Sequence, residues 1–556
     1  MNNPLPVADR FDELVRNYYR AWFRFHPESA VELSVPGYAH LLTPCSTDDR
    51  GALVCLNDEL RVELEQLDAA GLDADRRVDC ELLLGSVQLE NQYLLDVEPL
   101  GPDPQRWLPI NAIYQLTIRH VEDLESALAA RLRAIPGHLG AAQAHLSRSA
   151  RRIPPNWVAS SALAAHRGAE FLLGLDRHPK VMEILRRPAV KGLLERAATA
   201  LKQFGDYLQH EIGPHAQGNF ACGPEYFAHL LRHRHFLDVG IDELHEFGER
   251  LFRRTQGELQ AACEEYIGDR DLMRSVRAIQ GRHPAADQLL AVYRERMRAA
   301  RDFVAARGLV TLPEREHLEV VETPVFMRHE IPFAAYCEPT PTDPTQTGYY
   351  YVTPPADAEQ LAEHDDTGLA HTCVHEAYPG HHLQFVTANL SAAARTLPRL
   401  LHPSATLYEG WALYAEQLMH EEGFISGIES RIVLLRDRLW RALRVLLDIE
   451  LHTRGLALEQ AADRMVAALG FPRSQALADL AWYTRAPTVP LGYATGWALI
   501  SATRDRMRAE ASLKSFHDRL LSAGSIAAPL VIRRVFGEEA WRGIAGAVFG
   551  QTRVPG

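Results

Sequence analysis

No stretch of this 556-residue chain approaches the roughly 20 apolar residues that span a bilayer, so a transmembrane helix is excluded as its organising feature. The opening Met1-Asn-Asn-Pro-Leu-Pro-Val-Ala-Asp-Arg10 lacks both the basic and the apolar segment of a secretory signal, and a cytoplasmic location is expected from it. Cysteine is scarce. The seven residues (Cys45, Cys55, Cys80, Cys222, Cys263, Cys337 and Cys373) are odd in number and show no C-x-x-C spacing, which excludes a disulfide framework or a zinc ribbon. Basic charge is also short, with 59 Lys and Arg against 72 Asp and Glu, a formal balance of −13. That argues against nucleic acid or an anionic membrane as partner. No internal repeat and no low-complexity tract is present.

What is present is apolar content at 47%, enough for sizeable cores, arranged largely with helical period. Phe11, Leu14, Val15, Tyr18, Tyr19, Trp22 and Phe23 follow i, i+3, i+4, i+7 spacing, and similar patterns run through 242–266, 285–307 and 428–452. The length exceeds one usual hydrophobic core. A helical lobe over 1–215 and a second lobe over 216–556 are therefore expected, divided in the Pro- and Gly-containing stretch 213–223, unless the chain forms one continuous domain.

The exception to helix lies between Gly308 and Pro355. Segments 317–322, 332–337 and 348–353 are short, rich in β-branched or aromatic residues, and bounded by Pro, Gly, Asp and Thr, so a small sheet is expected at about 309–353. Asp365, Asp366 and Thr367 then offer N-caps for a following helix that carries His371 and His375.

That helix leads into His375-Glu376-Ala377-Tyr378-Pro379-Gly380-His381-His382, a stretched form of H-E-x-x-H. In the unstretched motif two His on one helical face hold Zn²⁺ and the Glu between them is general base toward the attacking water. Here position i+4 is Pro379. On a regular helix His381 would sit about 240° around from His375, so a kink or looped-out bulge at Pro379-Gly380 is needed to bring the pair together. His382 returns to the same face but roughly 10 Å further along the axis, too far for two Zn–N bonds of about 2 Å. His371 is a second rival, because with His375 it has the i, i+4 spacing without any bulge. The preferred pair is His375 with His381, His382 and His371 staying open as alternatives. The third ligand is read as Glu409, on the aromatic-rich segment 405–416 after a chain reversal at 398–403, with Glu416 a weaker candidate for ligand or outer-shell partner. Cys373 is read as a buried helix thiol.

HEAYPGHHLQ, YEGWALYAE and the DIELH segment at 448–452 together resemble the bacterial domain-of-unknown-function 885 (DUF885) family, which is grouped with the gluzincin metallopeptidases. The resemblance extends from GPEYFAHLL at Gly223 to the C-terminal segment. It implies a mainly α, two-lobed zincin-like metallopeptidase fold with a central cleft and a small sheet before the zinc-binding helix, similar to that of the carboxypeptidase Taq and angiotensin-converting enzyme groups. By that resemblance His375, His381 and Glu409 hold one Zn²⁺ per chain and Glu376 is the catalytic base. Related peptidases set a late His and Tyr against the oxyanion, which points to His452 and Tyr493. They also run an edge strand along the cleft, which would be 349–352 with Tyr349, Tyr350 and Tyr351 at the substrate. The Pro-Gly-Gln-Ala of the family pattern is Pro487-Thr-Val-Pro490 here, a change in loop shape beside Tyr493.

These readings describe a zinc metallohydrolase, in first place a peptidase of the carboxypeptidase, dipeptidase or oligopeptidase kind, with a peptide or small amide as partner. A zinc hydrolase of a non-peptide amide or ester uses the same groups. A non-catalytic metal protein is the third class, opposed by Glu376, which a closed structural site does not need.

Overall fold

The computed structural model describes residues 6–324, 328, 331 and 333–550, and by the clustering of its contacts the chain forms two compact units, Met1–Phe220 and Ala221–Gly556. The first is helical. Its longer elements are α1 (Val7–Trp22), α2 (Thr47–Glu65), α3 (Ala74–Gln92), α4 (Leu124–Ser147), α5 (Pro155–Gly174) and α6 (Pro188–Tyr207). The apolar stripe of α1 buries Phe11, Tyr18, Tyr19 and Trp22, as period-3.6 spacing requires of a helix with one face inward. Ser46 starts α2 with a capping box, its Oγ accepting from Asp49 N at 3.0 Å. Leu128, Leu132 and Ile135 of α4 pack with Leu172 of α5 and Leu201 and Phe204 of α6 in the unit's core.

The second unit begins with α7 (Gly223–Arg234), α8 (Ile241–Ile267) and α9 (Leu289–Arg307). A three-stranded sheet follows, β1 (His317–Glu322), β2 (Ala334–Cys337) and β3 (Thr347–Val352), in the order β1-β3-β2. Of the segment expected as the second strand, Pro332 lies outside the described residues. β3 pairs in parallel with β1 (Val320 opposite Tyr350) and antiparallel with β2 (Tyr336 opposite Tyr350). The expectation that 349–352 is an edge strand is therefore wrong. β3 is central, its backbone hydrogen bonds are taken on both sides, and it has none left for an extended substrate. Alternation also separates its tyrosines: Tyr350 is 2% exposed against the ring of Tyr293, whereas Tyr349 is 40% exposed and stacks on Tyr351.

After the sheet come α10 (Asp366–Glu376), α11 (His381–Leu390), α12 (Ala405–Glu421), α13 (Ile428–Thr453), α14 (Arg473–Tyr483) and α15 (Gly492–Met507). Asp365 is the N-cap of α10, its Oδ1 accepting from Thr367 N and Gly368 N. α12 and α15 cross in close contact because both present glycine at the crossing. A Cβ on Gly410 would lie 2.5 Å from the Gly496 carbonyl carbon, and one on Gly496 would lie 1.9 Å from Thr406 O. Glu409 and Tyr493 flank this crossing, so the backbone approach itself sets where they meet. Gly496→Ala is expected to force the helices apart, lowering stability by about 1–3 kcal/mol, a shift to be read from chemical denaturation.

Candidate metal centre

The helix that carries His375 does not bulge at Pro379; it ends. α10 stops at Glu376, Ala377 leaves the helical region (φ −112°, ψ −84°), and α11 starts afresh with His381 as its first residue. A Cβ on Gly380 would sit 1.8 Å from His375 O, so only glycine fits where the chain folds back over the end of α10. Gly380 N donates to Val374 O at 3.0 Å, and Trp411 Nε1 of α12 donates to Pro379 O at 2.7 Å, tying the break to the next helix. The expected looping-out is thus a break between two separate helices. Its consequence is that the imidazoles of His375 and His381 meet edge to face, ring centres 4.9 Å apart.

Glu409 of α12 completes the cluster. Its Oε2 lies 3.8 Å from His375 Nε2 and 3.4 Å from His381 Nε2, and ligand atoms of all three residues fall within 4.8 Å of one another. Ligands bound at about 2 Å in tetrahedral geometry stand about 3.3 Å apart, so the spacing fits one small cation at the centre. The donor set of two imidazoles and a carboxylate also suits Zn²⁺.

Glu416, about two helical turns further along α12, does not join the cluster. Its Oε1 takes His375 Nδ1 at 2.7 Å and its Oε2 takes His371 Nδ1 at 3.1 Å, while His371 Nε2 reaches Ser430 Oγ at 2.8 Å. His371 is therefore an anchor for Glu416, and Glu416 fixes the tautomer and orientation of His375, leaving Nε2 toward Glu409. Burial works against a charged His375, but the hydrogen bond and charge of Glu416, with Glu376 and Glu409, push it up to about 9. Burial likewise opposes the Glu409 carboxylate, yet His381, His375 and the Tyr493 hydroxyl bring it down to about 2. Glu416→Gln is expected to weaken metal binding about 10–100-fold without removing it, as measured by competition with a chromogenic chelator.

His382 is committed elsewhere. Fully buried, it sets Nε2 3.1 Å from Glu316 Oε2 and Nδ1 3.1 Å from the Tyr336 hydroxyl. Glu316 also accepts from Arg301 Nε at 2.5 Å and from the Tyr378 hydroxyl. With Nε2 donating to Glu316, Nδ1 is left to accept from Tyr336. His382 is thus a buried brace between the helix break and β2. Glu376, next to His375, is partly exposed; the phenols of Tyr293, Tyr336 and Tyr350 are pushed above the usual range by burial first and, to a smaller degree, by the Glu376 charge among others.

Tyr493 reaches the cluster, hydrogen-bonding Glu409; burial first, and then that carboxylate, raise its phenol above the usual range. His452 does not. It is 1% exposed, with Nε2 3.0 Å from Tyr483 O and Nδ1 accepting from Cys222 N at 3.4 Å, so both ring nitrogens are spent on backbone groups. Its reading as an oxyanion donor is corrected to a core residue that ties α13 to α14. Of the three tyrosines expected at the substrate, Tyr349 and Tyr351 stack on each other and Tyr350 packs on Tyr293.

Sequence reasoning missed Tyr336, Glu316, Arg441 and Arg444. The two arginines had a signal, since Arg at i and i+3 inside an otherwise apolar run of α13 requires buried partners. Glu316 had none, being one acidic residue before a strand.

Fold and site together define a mainly helical protein with a small sheet and a His-His-Glu cluster spaced as metal-ligating groups are. The chain belongs to the family described as bacterial proteins of unknown function, DUF885, whose model matches residues 27–535. It is similar in structure to a candidate lipoprotein of unknown function from Shewanella oneidensis (TM-score 0.77, 19% identity, covering 94% of this chain and 98% of that one). It is equally similar to a candidate lipoprotein from Colwellia psychrerythraea (TM-score 0.78, 18% identity, 96% and 99% covered). An M32 carboxypeptidase from Deinococcus radiodurans R1 aligns over 98% of this chain and 100% of its own at 14% identity, but with a TM-score of 0.39, too loose a likeness to support a conclusion. No curated protein matches. The cytoplasmic placement expected from the sequence is contradicted by the first two structures, both described as candidate lipoproteins. Among the described residues no helix is long and apolar enough to cross a membrane.

Proposed function

We propose that the protein is a zinc-dependent hydrolase that cleaves peptide bonds. The observation that carries this reading is the convergence of His375, His381 and Glu409 on one point, with Glu376 directly adjoining the first ligand. The order of these residues along the chain is that of gluzincin peptidases, which supports the reading by resemblance.

The three side chains would hold Zn²⁺, with Glu416 fixing the ring of His375. Bound zinc supplies Lewis acidity, polarising a carbonyl oxygen and making water a stronger acid. Glu376 then takes the proton of the attacking water and passes it to the leaving amine. Its partial exposure lets it meet water. Tyr493, whose hydroxyl is held by Glu409 at rest, is placed to donate to the substrate oxygen as negative charge develops there.

The reading is tested by incubating zinc-loaded protein with a diverse peptide library and following products by mass spectrometry, with Glu376→Gln as control. Cleavage that depends on Glu376 is expected. An untouched library, with hydrolysis of simple esters or non-peptide amides instead, would move the assignment to that other class of hydrolase.

A further inference from the structure

Two arginines of α13 stand over the ring of Tyr493, with Cζ 4.6 Å from its centre for Arg444 and 6.0 Å for Arg441. Their side chains are only 6% and 12% exposed. Arg444 spends Nε on the Tyr483 hydroxyl (2.7 Å) and Nη2 on Asp479 Oδ1 (3.1 Å), but its Nη1 is buried with no hydrogen-bond partner. Arg441 is less satisfied still. Its Nε and Nη1 are both buried without a partner, Nη1 lying 3.5 Å from Asp437 Oδ1 without forming a hydrogen bond. Three guanidinium nitrogens are thus withdrawn from water and left without an acceptor. Such a loss is large for a charged donor, and buried groups in this state call for a missing partner.

The surroundings say what that partner is. Trp440 and Trp482 flank Arg444, their ring centres 4.3 and 5.6 Å from its Cζ, and with Tyr493 they wall the guanidinium with aromatic surface. Trp482 is 38% exposed, so this wall reaches solvent. Tyr493 is at once the ring under both arginines and the hydroxyl bonded to Glu409, which leaves one aromatic side chain between the orphan donors and the metal cluster. In a peptide the anion found one residue from a scissile bond is the C-terminal carboxylate. Its two coplanar oxygens match guanidinium forks.

We infer that Arg444 and Arg441 bind the terminal carboxylate of the substrate, making peptides with a free C-terminus, cleaved at their last bond, the substrate class of this site. The peptide part of this statement rests on the reading under Proposed function; the carboxylate part does not. The two are separated by a probe that has no scissile peptide bond.

Calorimetry of the zinc-loaded full chain with 3-phenylpropanoate and with 3-phenylpropanamide is expected to show the acid binding about 10- to 100-fold more tightly. Arg441→Met and Arg444→Lys, the second keeping the charge but not the fork, should each reduce that preference. The absence of a preference in the unaltered protein overturns the inference outright. Because a buried arginine can be needed for folding, a thermal melt accompanies each variant, and Arg441→Lys is added beside Arg444→Lys so that a folded variant decides whether the preference is arginine-borne. A preference that survives in the folded variants also overturns it, since the carboxylate would then be held by the metal or elsewhere. If the arginine-dependent preference holds while no peptide is cleaved, the carboxylate site stands and the peptidase reading fails. If peptides are cleaved but the matched acids and C-terminal amides have equal KM and kcat, the peptidase reading stands and the carboxylate site fails.

Discussion

Glu376→Gln is expected to keep both zinc and fold while hydrolysis falls by about 10²–10⁴-fold or more. The separation follows from geometry. Glu376 adjoins His375 but donates no atom to the His375, His381 and Glu409 cluster, so an isosteric amide leaves the metal-holding atoms where they are. What the amide cannot do is accept a proton from water as the new bond forms. Metal analysis, a thermal melt and turnover on a peptide chosen from the library measure the three quantities independently. Loss of zinc together with activity would make Glu376 part of the metal-holding apparatus. Near-normal turnover with zinc bound would sink the proposed mechanism, whatever the metal content.

Much of the second unit was legible because its signals are local. The periodic apolar runs at 242–266 and 428–452 are the helices Ile241–Ile267 and Ile428–Thr453, and the run at 285–307 starts slightly later, at Leu289. The three short strands were marked by β-branched and aromatic residues between turn formers, but their order was not. Spatial order depends on which backbone edges remain free after folding, and no pattern within 347–352 records that β3 lies between the other two. The same distinction governs the site. His375 and His381 could be weighed from spacing on an ideal helix, and the Pro379-Gly380 pair showed where that helix must fail. The identity of the anchors could not be read, because His371, Glu416 and Ser430 meet through three different helices. His452 misled for a related reason: a His four residues after an Asp looks oriented for chemistry, yet Asp448 accepts from Thr488 N and Leu491 N while His452 binds Tyr483 O. Both hold the core in which α13 meets the 484–491 loop.

Substitution of any one cluster residue, His375→Ala, His381→Ala or Glu409→Ala, is expected to weaken zinc binding by more than the 10–100-fold typical of an outer-shell change. Each removes one of three donors, whereas His382→Ala removes none. The ring of His382 is spent on Glu316 and Tyr336, so its loss should leave zinc content near one per chain and lower stability by about 1–3 kcal/mol through the buried carboxylate and phenol left behind. The cluster also fixes the pH dependence of metal uptake. Without metal, His375 is held protonated up to about 9, while Glu409, brought down to about 2, is already ionised at neutral pH. Only a neutral imidazole can take the metal, so uptake below about pH 9 expels the His375 proton, and affinity falls about tenfold for each pH unit of acidification. Calorimetry in buffers of different ionisation enthalpy counts that proton directly. An affinity flat between about pH 6 and 8 would mean that His375 loses no proton to the metal in that range, against the raised pKa set by Glu416. Equal zinc loss on His382→Ala, with none on His381→Ala, would show that the helix break presents its second histidine and not its first.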